Sequence, residues 1–201
     1  MKHKRSVLWA SVILYALFTI ILILDNGFSY NNISDTIRLT SKVSLVLFAV
    51  IFISAPLQKI WSSKVSQWLL ANRRDLGISF GITFLTSHIG LIGLLFVLDS
   101  NRIWDRIKIT DITGGSLGLI LIFAMLLTSF KQFSNKVAAK TWQRLHLFGI
   151  FYVWEVFMFD QVEKYYLVTP RPAGPLFYFP FMAILLSAMV LRVISLSSKY
   201  R

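Results

Sequence analysis

The chain alternates long apolar runs with short polar stretches, and the lengths of those runs set the expected architecture. Lys2, Lys4 and Arg5 precede an uninterrupted apolar run from Val7 to Leu24. That is close to the ~20 residues that cross a bilayer as a helix. A secretory signal peptide also starts basic and then turns apolar, but Asp25-Asn26-Gly27 supplies no small-x-small cleavage site. A retained first helix is therefore expected. Residues Asp25 to Arg38 are polar and rich in Asn and Ser, so they read as an exposed loop. Asn32-Ile33-Ser34 matches a glycosylation acceptor, a short signal outweighed by a plain polar loop. Further apolar runs cover Leu39 to Leu57, Leu76 to Leu98, Ile112 to Phe130, Trp142 to Phe159 and Leu176 to Ser195. Pro56 is expected to kink or end the second of them. The pattern predicts an all-α, polytopic membrane protein, a single transmembrane domain over residues 1–201 built as a six-helix bundle.

The charges between the runs orient that bundle, because Lys and Arg concentrate on the cytoplasmic side. Fourteen of the 21 basic residues fall on one side, among them Lys59, Lys64, Arg73, Arg74, Lys131, Lys136, Lys140, Arg144 and Arg192, with Asp75 as that side's one acid. The other side sets Arg38, Lys42, Arg102, Arg106, Lys108, Lys164 and Arg171 against seven acids. Both termini are predicted cytoplasmic, as in a bacterial inner-membrane protein with its N- and C-termini inside. Trp9, Trp61, Trp104 and Trp142 stand near predicted helix ends, where interfacial indoles belong.

Composition agrees with a lipid bilayer as the solvent. The chain is 56% hydrophobic, above the roughly 45–50% of soluble domains, and its mean hydropathy is +0.66. A net charge of +12 suggests nucleic acid in a soluble protein, but here the cations lie between apolar runs and form no single patch, which argues for no nucleic-acid partner. The absence of cysteine excludes disulfides, thiolate-bound zinc, iron–sulfur clusters and thiol redox chemistry. No Gly-rich phosphate fingerprint is present, since Gly114-Gly115 lacks the spacing, so no flavin or nicotinamide domain is expected.

The candidate chemistry lies in two histidines within apolar runs. Polar groups in hydrocarbon are costly and usually face the bundle interior. His88 lies deep in the third run, beside Thr83, Thr86 and Ser87, with Gly77, Gly81, Gly90 and Gly93 leaving room nearby. It reads either as a ligand to a planar cofactor or as a neutral imidazole bonded to a neighbouring helix. His146 enters the fifth run within Trp142-Gln143-Arg144-Leu145-His146 and divides in the same way, with an interfacial role as a further option. Two imidazoles on different helices can hold the iron of a b-type haem. Arg73, Arg74 and Arg144 are then the candidate cations for its propionates. Depth opposes one shared haem. His88 lies 14 residues beyond Arg74 and His146 six beyond Lys140, roughly 21 and 9 Å along their helices at ~1.5 Å per residue. Glu155 is expected near the outer surface, pairing with a neighbouring helix or water in preference to serving a proton relay, and His3 in the amino terminus is expected to have only a solubility or orientation role.

Several of these residues carry a family resemblance. Arg73-Arg74-Asp75-Leu76-Gly77 leading to His88, Leu126-Leu127-Thr128-Ser129-Phe130, and Trp142-Gln143-Arg144-Leu145-His146 occur in that order. They resemble the third-helix entry, fourth-helix exit and fifth-helix entry of the ferric reductase-like transmembrane domain family. The likeness is greatest to its small six-helix members, the haem-binding membrane subunits of bacterial methionine sulfoxide reductase systems. It spans about residues 73–159. The resemblance implies one haem b with His88 and His146 as iron ligands. It also implies electron transfer from a cytoplasmic flavin reductase or quinone across the membrane to a periplasmic redox partner or other acceptor. The sequence departs from the family at Phe159, where many members carry a second fifth-helix histidine, and His88 falls about one residue later after Gly77. The competing expectation is a haem-free membrane scaffold or assembly subunit of the same fold. A small transporter is a third, weaker option, because no inverted repeat is evident.

Overall fold

The computed structural model describes residues 6–104, 109–166 and 175–197. Lys2, His3, Lys4, Arg5, Arg106, Lys108, Arg171 with the prolines before and after it, Lys199 and Arg201 lie outside the described residues. The described residues are helical throughout apart from short connections, in the order α1 (Ser6–Asn26), α2 (Tyr30–Ile60), α3 (Lys64–Trp104), α4 (Ile109–Ser129), α5 (Lys131–Ser134), α6 (Ala139–Tyr166) and α7 (Pro175–Ser197).

Helix ends follow local capping chemistry. Gly27 ends α1 with φ +80°, a left-handed conformation that glycine adopts without strain. Ser29 then caps α2 by accepting the backbone N–H of Asn32. The polar stretch expected to be a loop up to Arg38 is therefore helical from Tyr30 onward. Ser63 and Ser66 cap α3 reciprocally, each side chain accepting the other's backbone N–H. The third helix thus starts at Lys64, twelve residues before its apolar run. It breaks at Asp99 (φ −163°, ψ 89°), just past the expected end at Leu98. Pro56 does not end α2, which continues to Ile60. The two early helix starts share one cause: hydropathy marks where a helix meets hydrocarbon, whereas caps mark where it begins.

Among the described residues, four helical segments are long and apolar enough to cross a membrane: Ser6–Asp25, Tyr30–Ile60, Lys64–Asn101 and Phe177–Ser195. The apolar part of α4, Thr113–Ser129, is shorter. The exterior is rich in Leu, Ile and Val, with Leu14, Leu24 and Val97 all strongly exposed, while Thr36, Thr40, Ser44, Ser54, Ser79 and Thr83 are buried. That reversal of the soluble pattern suits a molecule surrounded by lipid, where helices associate through small polar residues and close packing.

Side-chain contacts fix the helix directions. Ser11 meets Ser79, and Ser87 donates to the Tyr15 hydroxyl, so α1 runs parallel to α3. Arg74 meets Ser129 and Gly81 packs on Leu126, so α4 returns antiparallel to α3. Tyr152 bonds Gly114 and His146 bonds Thr128, so α6 again points along α3. Lys42 sits by Tyr178 and Arg192 by Phe52, so α7 runs with α2. The core is aromatic, with Phe48 against Phe52, Phe80 and Phe157 at ring-centroid distances of 5.4–5.7 Å.

Candidate functional site

A cavity of about 620 Å³ opens at the end of the bundle that carries Arg73, Arg74 and Arg192. Its size falls within the range of small-molecule and cofactor sites. Apolar walls come from Phe48, Ile51, Phe80, Ile122, Leu126 and Ile150, and the three arginines and His146 also border it. Gly77 contributes part of the space, since a Cβ there would meet nothing within 4 Å.

The end of α4 organises the polar side of this cavity. The last carbonyls of a helix lack intrahelical donors and attract cations. Arg74 Nε donates to the Ser129 oxygen at 2.9 Å, and the Trp142 indole donates to the Thr128 oxygen at 3.0 Å. The Thr128 hydroxyl lies 3.1 Å from His146 Nε2. Trp142 and His146 are one turn apart on α6, with ring centroids 4.2 Å from each other. The three sequence segments Arg73–Gly77, Leu126–Phe130 and Trp142–His146 therefore meet around one space.

The arginines are held differently. Arg192 donates to the Phe52 oxygen at 3.1 Å and stacks over the Phe52 and Phe151 rings. Arg74 is committed to Ser129. Arg73 is half-buried and has no hydrogen-bonded or carboxylate partner among the described residues. It is the cation free to meet an anionic ligand.

His88 is elsewhere. Its Nδ1 lies 3.0 Å from the Phe84 oxygen, its Nε2 lies 3.2 Å from the Ser41 hydroxyl, and its ring stacks on Phe84 at 3.8 Å. It does not border the cavity. Phe80 forms the wall, and His88 follows it by eight residues, about 12 Å along α3. Phe84 and Phe157 pack between these levels. The depth difference legible in the sequence is thus present in the fold. Arg144 is exposed and does not border the cavity either.

Two functional-looking residues were legible only as orientation charges. Arg192 borders the cavity because α7 brings it over Phe52. Lys42, read as an outer-side residue, is buried within α2, donates to Gln161 Oε1 and faces the rings of Phe177, Tyr178 and Phe181. A lone Lys between Ser41 and Val43 gives no sign of the aromatic rings that α7 supplies.

Among the described residues there is no group of three His, Cys, Asp or Glu side chains able to hold a metal ion. A haem held by two imidazoles does not fit the arrangement, because His88 lies outside the cavity that His146 borders. A haem held through one imidazole fits it: the cavity offers His146, apolar walls and a free guanidinium at Arg73. No family model, curated protein or solved structure matches the chain.

Proposed function

We propose that this chain is a b-type haem-binding membrane subunit, holding one haem in the His146 cavity and passing electrons from a cytoplasmic flavin or quinone donor. The observation that carries this reading is the convergence of Arg73–Gly77, Leu126–Phe130 and Trp142–His146, the segments resembling the ferric reductase-like family, on one apolar cavity with an imidazole and a free guanidinium. In the proposal His146 supplies the nitrogen ligand, and the Trp142 ring beside it restricts how the imidazole can turn. Arg73 meets a propionate, while Phe48, Phe80 and Ile150 exclude water. A haem, once bound, supplies the one-electron chemistry, and the protein tunes its potential through burial and ligation. The six-span arrangement with both termini cytoplasmic belongs to the same proposal, supported by the charge asymmetry and the alternating helix directions.

The test is an absorption spectrum of the full chain purified from a haem-replete host, before and after dithionite. Soret and alpha bands that disappear in His146→Ala support the proposal. A folded, colourless protein overturns it and supports the second reading, a haem-free membrane scaffold or assembly subunit. One observation favours that second reading: His88 is satisfied by Ser41 and Phe84, as a structural histidine would be.

A further inference from the structure

Glu155 stands in the wrong place for an isolated membrane helix. It is exposed on α6, and no hydrogen bond or ion pair joins it to another described residue. Its depth follows from its neighbour. The Trp154 indole donates to the Leu185 oxygen at 2.9 Å, and Leu185 is the ninth of the nineteen residues of the span Phe177–Ser195. Glu155 is therefore level with the middle of α7. Carboxylates at that depth almost always face a bundle interior or a water-filled cavity, because hydrocarbon does not solvate them. Here the inward faces of α6 are already occupied. Val153 and Phe157 are buried in the core, Tyr152 and Val156 face Gly118 of α4, and Trp154 reaches α7.

The residues sharing the outward face sharpen the picture. Phe148 and Phe159 lie seven residues before and four after Glu155, one stripe at ~100° per residue, and are 59% and 56% exposed. A carboxylate on this face complements a basic side chain, which gains an ion pair, while the phenyl rings, about 10 and 6 Å away along the helix, offer apolar surface to the helix that carries it. A second copy of the chain docked symmetrically would instead set carboxylate against carboxylate.

We propose that the Phe148–Glu155–Phe159 face of α6 docks a partner transmembrane helix that carries a Lys, Arg or His at mid-bilayer depth. The inference rests on α6 crossing the membrane beside α7 and is independent of whether the chain binds haem.

The test uses the full chain reconstituted in phosphatidylcholine vesicles with a fluorescent leucine-based transmembrane peptide, whose centre is either Lys or Leu. Energy transfer should report tighter association with the Lys peptide, on the order of 3- to 30-fold, the range of one interhelical polar contact in lipid. Glu155→Leu should remove that preference, and Glu155→Gln should reduce it, with circular dichroism and thermal midpoint unchanged. Equal binding of the two peptides, or a preference that survives in Glu155→Leu, overturns the proposal. So does self-association of the chain that Glu155→Leu abolishes, since the covering helix would then be a second copy.

Discussion

The Thr128 hydroxyl oxygen lies 3.1 Å from Nε2 of His146 and 2.8 Å from the Ala124 backbone oxygen. With its hydrogen on Ala124, the hydroxyl accepts from Nε2–H, so an iron bound at Nε2 has to displace this contact. Thr128→Val should therefore tighten haem binding. A neutral hydrogen bond contributes about 0.5–1.5 kcal/mol, which corresponds to a gain of roughly 2- to 12-fold in a haem titration of apoprotein. Weaker binding in Thr128→Val would mean that Thr128 orients the ring instead of competing for it.

His88 and His146 should respond differently to removal. His146→Ala should lose the haem bands, whereas His88→Ala should keep them, because only His146 borders the cavity. With one imidazole, the ferrous protein should also shift its Soret band on adding carbon monoxide. A carbon-monoxide-insensitive spectrum that changes in His88→Ala would point to two-imidazole ligation and a different packing of α3.

The two adjacent arginines separate stability from ligand binding. Arg74 covers the end of α4, so Arg74→Ala should lower the thermal midpoint, at a cost of about 1 kcal/mol for an exposed charged contact. Arg73 has no such protein partner. Arg73→Gln should leave the midpoint unchanged and weaken binding of a dicarboxylate porphyrin severalfold, measured by titration. Equal loss of stability in both variants would contradict the assignment of Arg73 as the free cation.

How far the sequence reveals this fold depends on which force sets each feature. The four segments long and apolar enough to cross a membrane are legible because hydrocarbon thickness sets the length of an apolar run. The added turns at Tyr30 and Lys64 are set by Ser29 and Ser63, local caps that a hydropathy window averages away. The meeting of Arg74, Thr128, Ser129, Trp142 and His146 was visible only as a resemblance in order and spacing, and its physical basis is the carbonyl end of α4. The outward position of Glu155 was not legible. It depends on how α6 is rotated between α4 and α7, which Gly118 and Leu185 decide from other parts of the chain.

Glycine substitutions on α3 test the packing around the cavity. A Cβ at Gly81 would stand 3.1 Å from Leu126 Cδ1 and 3.2 Å from Leu126 Cβ. A rotamer change can move the Cδ1, but the Cβ is fixed to the α4 backbone. Gly81→Ala therefore forces α3 and α4 apart and should destabilise the bundle by about 1–3 kcal/mol. At Gly77 a Cβ meets nothing within 4 Å, and alanine is the better helix former by about 1 kcal/mol. Gly77→Ala should leave thermal stability equal or higher while narrowing the cavity that Gly77 borders. Melting curves by circular dichroism in detergent should thus fall for Gly81→Ala alone, and haem titration should weaken for Gly77→Ala. Similar melting of both variants would show that the α3–α4 contact at Leu126 does not hold the bundle together.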